Sequence, residues 1–253
     1  MSVPPLVAVA HGSRDPRSAA TVRELGRAVA DRLQGTEVRV AFLDLSAPPV
    51  DEVLGELHAA GHREVVVVPL LLGSAYHARV DLPQLVAEAT ARLPMLRVSV
   101  AEVLGPDPAL EDAAMDRLAQ AGLPAGERDL GVVLTGVGSA QPAANDLVAR
   151  LASRWHHRGD FAAVTHAFAT TRPGVVAALA RLDALGIGRV AIAPWFLAPG
   201  LLLDRVAEAA PHATTAAPIG AHPRVAELVV ERYREAAGSP LGDLSISAAS
   251  SAA

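Results

Sequence analysis

The chain has 253 residues, a formal net charge of −5, 51% apolar residues, 3% aromatic residues and no cysteine. That length holds one large domain or two smaller ones, with enough apolar content for a sizeable core. Without cysteine there are no disulfides, thiolate zinc sites or cysteine-ligated clusters; without a basic excess the chain does not read as a general nucleic-acid binder; and no apolar run reaches the roughly 18 residues of a membrane helix.

The first apolar run, Leu6–Ala10, is closed by His11-Gly12-Ser13 and reads as a buried parallel strand. Ala19–Leu33 then carries apolar residues at helical spacing, and Gly35 ends it. Val38–Leu43 is a second strand, Val50–Ala60 a helix, Val65–Leu72 the strongest strand signal, and Leu82–Leu93 a helix with Pro83 at its start. Val98–Val103 and Ala109–Ala121 complete a first series of strands alternating with helices. The series restarts with Val132–Thr135, Ala143–Trp155, Ala162–Phe168, Gly174–Leu185 and Val190–Leu197, followed by a short helix around Val206–Ala209 and a last helix at Arg224–Ala237. Strands alternating with helices predict an α/β fold with parallel sheets flanked by helices.

The restart is an internal duplication. Pro69 and Pro194, Gly61 and Gly186, Leu54 and Leu179, and Leu57 and Leu182 are each 125 positions apart, and Gly12-Ser13 and Gly138-Ser139 are 126 apart. Gly105-Pro106-Asp107-Pro108 is echoed by Gly220-Ala221-His222-Pro223. The two lobes are predicted at 1–122 and 130–237, joined by a Gly/Pro/charged linker, with a Ser/Ala-rich disordered tail at 238–253. The start, Met1–Ala10, does not read as a signal peptide, so a cytoplasmic protein without nucleic-acid or membrane partners is expected.

Laying one copy on the other shows where the chemistry sits. His11 faces Val137, Asp44 faces Ala169 and His77 faces Leu202, so ligand-capable residues of copy one meet apolar residues of copy two. His11 and His77 follow the carboxyl ends of strands, where open α/β sheets form their ligand crevice. Neutral imidazole suits Fe²⁺, Co²⁺, Ni²⁺ or Zn²⁺, and Asp44 could ligate or orient a histidine. Gly12-Ser13-Arg14 opens a helix whose N–H groups can meet an anion, with charge added by Arg14 and Arg17. Leu72-Gly73-Ser74-Ala75-Tyr76 has the composition of a loop lying against a flat ligand, and Arg79 beyond it could meet a carboxylate. His58, His62, His156, His157, His166, His212 and His222 read as solvated, core or loop residues rather than catalytic ones. A phosphohydrolase with His11 as nucleophile is disfavoured, because Ala10 stands where such enzymes place an arginine. A non-catalytic metal carrier using the same histidine pair stays open.

Ala10-His11-Gly12-Ser13-Arg14, Ala41-Phe42-Leu43-Asp44, Val68-Pro69-Leu70-Leu71-Leu72-Gly73-Ser74-Ala75-Tyr76-His77, Asp81-Leu82-Pro83 and Gly105-Pro106-Asp107-Pro108 together resemble the sirohydrochlorin chelatases, ATP-independent class II tetrapyrrole chelatases. The resemblance covers nearly all of copy one and, more weakly, copy two. It implies two tandem flavodoxin-like lobes with the tetrapyrrole in the cleft between them. It implies insertion of a divalent metal into sirohydrochlorin, with the metal as substrate and no permanent cofactor; with neither cysteine nor a histidine tract in the chain, Fe²⁺ for siroheme is preferred over Co²⁺ for cobalamin. A tetrapyrrole carrier using the same histidines is the other reading left open. Carried over, His11 and His77 bind the metal, His11 also accepts pyrrole protons, and Asp44 stands where many relatives carry glutamate. Ser13, Arg14, Leu72, Gly73, Ser74, Ala75, Tyr76 and Arg79 are then the substrate-binding candidates. Trp195, Phe196 and Leu197 of copy two are expected to supply apolar contact to the cleft. A fused duplication also lets a monomer do what a dimer of single lobes would do.

Overall fold

The computed structural model describes residues 3–73 and 82–238. The first copy runs β1 (Leu6–Ala10), α1 (Pro16–Arg32), β2 (Val38–Phe42), α2 (Val50–Ala59), β3 (Glu64–Pro69), α3 (Leu82–Ala91), β4 (Arg97–Val100) and α4 (Pro108–Gln120). The second runs β5 (Glu127–Gly136), α5 (Pro142–Arg158), β6 (Phe161–Phe168), α6 (Val175–Asp183), β7 (Arg189–Pro194), α7 (Leu201–Glu208), β8 (Thr214–Thr215) and α8 (Pro223–Gly238). Their strands form two four-stranded parallel sheets, ordered β2-β1-β3-β4 and β6-β5-β7-β8. The duplication is thus a repeated α/β lobe, as the alternation of strands and helices predicts.

Central strands alternate their side chains between two cores. Leu6, Ala8, Ala10, Val66 and Val68 face one core, while Val7, Val9, Val65 and Val67 face another, covered by α2 and α3. In the second sheet Leu130, Val132, Leu134, Ala191 and Ala193 face the same core as Leu6, while Val133 and Ile192 face a third, covered by α6 and α7. One apolar core, filled by α1, α4, α5 and α8, therefore lies between the two sheets, while α2, α3, α6 and α7 cover the sheets' outer faces.

The last helices of the copies are exchanged across that shared core. α8 lies on α1, β3 and β4 of the first sheet, whereas α4 lies against β7 of the second. The exchange is held by polar contacts as well as burial. Tyr233 of α8 donates its hydroxyl to the Pro4 carbonyl at 2.7 Å. Burial pushes its phenol up from the ordinary value. Arg117 of α4 donates to the Ile219 carbonyl at 3.1 and 2.9 Å, and Arg232 of α8 meets Asp107, the N-cap of α4, at 2.9 Å.

Several boundaries differ from the sequence reading. α1 and α5 begin at Pro16 and Pro142, one turn or one residue earlier than apolar spacing suggests, because proline suits the first helical turn. The linker ends sooner: β5 starts at Glu127, which pairs with Phe161, and Arg189 bridges Glu127 and Asp129. β3 stops at Pro69, whose missing N–H cannot extend the ladder, so Leu70–Gly73 form loop. β8, only Thr214–Thr215, is too short to show any period in the sequence. The tail beyond 238 lies outside the described residues. Among the described residues no helix is long and apolar enough to cross a membrane.

Candidate functional site

The β1–α1 and β2–α2 loops meet at the carboxyl edge of the first sheet. The ladder of β1 and β2 runs one step past the strands: Leu43 N–H donates to the Ala10 carbonyl and Asp44 N–H to the His11 carbonyl, both at 2.9 Å. His11 and Asp44 are thereby fixed side by side on one rim. The approach is too close for any residue but glycine at position 12: φ there is +96°, and a Cβ would lie 1.7 Å from the Asp44 carbonyl oxygen. Ser46 completes the junction, accepting from Ser13 N–H at 3.1 Å and donating to the Ser13 carbonyl at 2.9 Å.

His11 is half-buried, and its Nδ1 lies 3.2 Å from the Gly12 carbonyl. A carbonyl only accepts, so that contact requires Nδ1–H and makes Nε2 the lone-pair nitrogen, the form that ligates a metal or takes up a proton. Asp44 is exposed, and its Oδ1 accepts from the Leu45 N–H at 2.7 Å. His77, Ser74, Ala75, Tyr76 and Arg79 lie outside the described residues. Among the described residues no group of three or more His, Cys, Asp or Glu side chains is placed to hold a metal.

The second lobe closes on this rim. A Cβ on Gly73, after β3, would lie 3.1 Å from Leu147 of α5, and a Cβ on Gly200, before α7, would lie 3.9 Å from the Ser13 hydroxyl and 4.0 Å from the Asp15 Cβ. Leu72 and Gly73 are half-buried there, and the Leu71 carbonyl accepts from Gly105 N–H at 3.2 Å. Arg14 is exposed on the same rim.

Arg17 does not offer charge to a ligand. It is bound by Asp15 and Asp204, both at 2.5 Å, and these pairs raise its pKa further above the ordinary arginine value. Asp15 caps α1, accepting from Arg17 N–H at 2.9 Å, so a carboxylate already occupies the helix start. Trp195 and Phe196 are only 4% and 8% exposed, in two different cores, and the Trp195 Nε1–H has no hydrogen-bond partner among the described residues. They are core residues, not cleft lining. Val137 and Leu201 of copy two, by contrast, are exposed.

The register also corrects one pairing of the two copies. Ala169 N–H donates to Gly136 and Thr170 N–H to Val137, as Leu43 does to Ala10 and Asp44 to His11. Asp44 therefore corresponds to Thr170, and the loop that follows is one residue shorter in copy two. Among the other histidines, His62 pairs with Glu37 and His58 with the Pro94 carbonyl, as solvated residues do. His222 is different: it is 6% exposed, caps α8 by accepting from Arg224 N–H and reaches Asp116 of the first copy at 3.3 Å. Its match to Asp107 in the Gly-x-x-Pro echo was the available signal.

The two-lobed fold has relatives among known proteins. The CbiX family model matches residues 5–121 and 131–236, one match per copy. A sirohydrochlorin ferrochelatase of Bacillus subtilis is 26% identical over 249 residues, covering 92% of each chain. A sirohydrochlorin cobaltochelatase of Priestia megaterium is 28% identical over 204 residues, 79% of this chain and 66% of that protein. The solved structure of SirB from Bacillus subtilis with Fe³⁺ superposes with a TM-score of 0.79 at 26% identity, covering 93% of this chain and 96% of that one. Two tandem lobes, each matched by the family model and arranged as in a solved relative, place this chain in the CbiX family.

Proposed function

We propose that the protein is an ATP-independent sirohydrochlorin chelatase, inserting Fe²⁺ or Co²⁺ into the tetrapyrrole with release of two protons. The observation that carries this reading is the junction of β1 and β2. It presents His11, with Nε2 as its lone-pair nitrogen, beside Asp44 on the rim that the second lobe closes.

In this reading residues 1–122 form the lobe with the metal site, and 130–237 form the supporting lobe. His11 and His77 hold the incoming metal after it sheds water, and His11 takes a pyrrole proton as the ring nitrogens replace it. Asp44 sits beside them as a carboxylate that attracts the cation and orients its approach. Ser13, Arg14, Leu72, Gly73, Ser74, Ala75, Tyr76 and Arg79 meet the substrate around the macrocycle. A cytoplasmic location goes with this reading, and cell fractionation checks it.

The test mixes the protein with sirohydrochlorin and Fe²⁺ or Co²⁺ without ATP and follows the absorption spectrum. Metalation should accelerate over the protein-free rate, and His11→Ala and His77→Ala should each abolish the acceleration. Wild-type rates in both variants would move the site elsewhere; no acceleration by the wild type would leave a carrier.

A further inference from the structure

The second lobe carries a cavity that the chelatase chemistry above does not use. The loop after β6 and one side of α7 enclose about 350 Å³. Arg172 and Arg205 line it together with Thr170 and Thr171, while Phe168 and Val206, both buried, supply apolar wall. No carboxylate lines it, although acidic residues outnumber basic ones in the chain by 27 to 22. Arg17, Arg39, Arg154 and Arg189 are each held by a carboxylate. Among the described residues, the guanidinium groups of Arg172 and Arg205 enter no hydrogen bond or ion pair. Two guanidinium groups without counter-ions, on one cavity, are a site for an anion.

Its position ties the cavity to the cleft. Thr170 donates both its N–H, at 2.9 Å, and its hydroxyl, at 2.8 Å, to the carbonyl of Val137, the residue that replaces His11 in copy two. Phe42 and Phe168 donate to Pro48 and Pro173 respectively, so Arg172 occupies the place of Ala47. Copy two thus has an apolar residue where copy one has its histidine, and a guanidinium where copy one has a methyl group. The mixed lining selects an oxyanion on a short alkyl stem over a fully hydrated inorganic ion, because buried Phe168 and Val206 offer nothing to a hydration shell.

We propose that this cavity binds a side-chain carboxylate of the tetrapyrrole, so that the second lobe orients the macrocycle over the metal site of the first. The proposal rests on the chelatase reading for the identity of its ligand. Both arginines are exposed, so Arg172→Gln/Arg205→Gln is built without disturbing either core. Binding of metal-free sirohydrochlorin, followed by fluorescence, should weaken about tenfold or more, as expected for lost charge-assisted bonds. The corresponding double lysine variant should recover most of the affinity, and in turnover the loss should fall on KM rather than kcat. An unchanged Kd overturns the proposal. Glutarate and inorganic phosphate are titrated in parallel by calorimetry. If either binds the wild type and not the glutamine variant while the sirohydrochlorin Kd stays constant, the cavity serves a free small anion and the substrate role is overturned. If the wild type binds no sirohydrochlorin, the chelatase reading fails by itself, and an identical glutarate titration of wild type and variant then overturns the anion site as well.

Discussion

Arg17 of α1 and Asp204 of α7 stand 187 positions apart in sequence, and their side chains meet at 2.5 Å between the two copies. Asp15 holds the same guanidinium from the other side. Arg17 is half exposed, so the pair is screened by solvent and salt and adds little to global stability. Its effect is on the spacing of the two rims, since Gly200 sits beside Ser13 at this point. Arg17→Ala should leave the urea midpoint nearly unchanged while raising KM for sirohydrochlorin, and 0.5 M salt should mimic part of that rise in the wild type. A matching loss of midpoint would make the pair a fold contact instead. The Asp15 carboxyl is held below the usual range, first by the side-chain bond from Arg17 and then by its backbone N–H. A lowered carboxylate stabilises the fold fully above its ordinary pKa and loses that contribution only as pH falls through the lowered value. This contact should therefore not contribute to any pH profile above about pH 4.

Gly12 and Gly138 allow one substitution to be compared in two copies. Both have positive φ, +96° and +93°. A methyl at Gly12 would meet backbone, the Asp44 oxygen at 1.7 Å, whereas at Gly138 its nearest neighbours are the Thr171 and Thr170 side chains at 2.7 and 2.9 Å. Side chains rotate away and a strand-end carbonyl does not. Gly12→Ala should cost about 3 kcal/mol or more and abolish metalation, and Gly138→Ala about 1–2 kcal/mol with activity retained. Gly55, in α2 with nothing within 4 Å of a built Cβ, is the control: Gly55→Ala should gain about 0.5–1 kcal/mol. Urea denaturation with parallel assays decides; equal losses at positions 12 and 138 would refute the backbone argument.

The duplication was legible because strands and glycine turns repeat at a nearly constant offset, and His11 stood out against Val137 for the same reason. What sequence did not carry was which copy each last helix covers. α4 and α8 have similar apolar patterns, and only the packing shows that they cross between sheets. The same limit applies to Trp195 and Phe196. An aromatic pair after a strand reads equally as cleft lining or as core, and alternation about β7 sends one ring into each core. The charge of Arg17 looks available in the sequence because its neutralising partner, Asp204, lies in the other copy. A one-residue loop deletion leaves the partner of Asp44 in copy two ambiguous by one position until the hydrogen bonds fix it as Thr170.

Glu111 of α4 links the exchanged helix to the second copy. It is 8% exposed and accepts from Arg154 at 2.6 Å and from the Trp155 Nε1–H at 3.1 Å. Trp155 is fully buried, so removing its acceptor strands a donor away from water. Glu111→Ala should destabilise the fold by about 1–3 kcal/mol. Glu111→Gln, which keeps an acceptor for the indole, should recover about half of that loss. Thermal denaturation of both variants tests the assignment. An alanine variant as stable as wild type would mean that Glu111 contributes no net bond.

His222 gives the interface between the copies a pH dependence. Its Nδ1 accepts from Arg224 N–H at 3.3 Å, so the proton sits on Nε2, which faces Asp116 at 3.3 Å. Burial is the main influence on its pKa, which lies below the ordinary histidine value. Arg117 and Arg224 push the same way, while Asp116 and Glu227 oppose them. As pH falls below about 6.5, the unfolded chain takes up this proton before the folded one does, so stability declines until the lowered folded value is passed. His166 has a lowered pKa too, from burial and then Arg181, and adds to the slope. His222→Asn supplies another N-cap acceptor for Arg224 N–H without titrating. It should flatten the fall in urea midpoint between pH 7.5 and about pH 5, leaving the part due to His166. Identical slopes in the variant and the wild type would remove His222 from the account, and a steeper slope in the variant would reverse the sign.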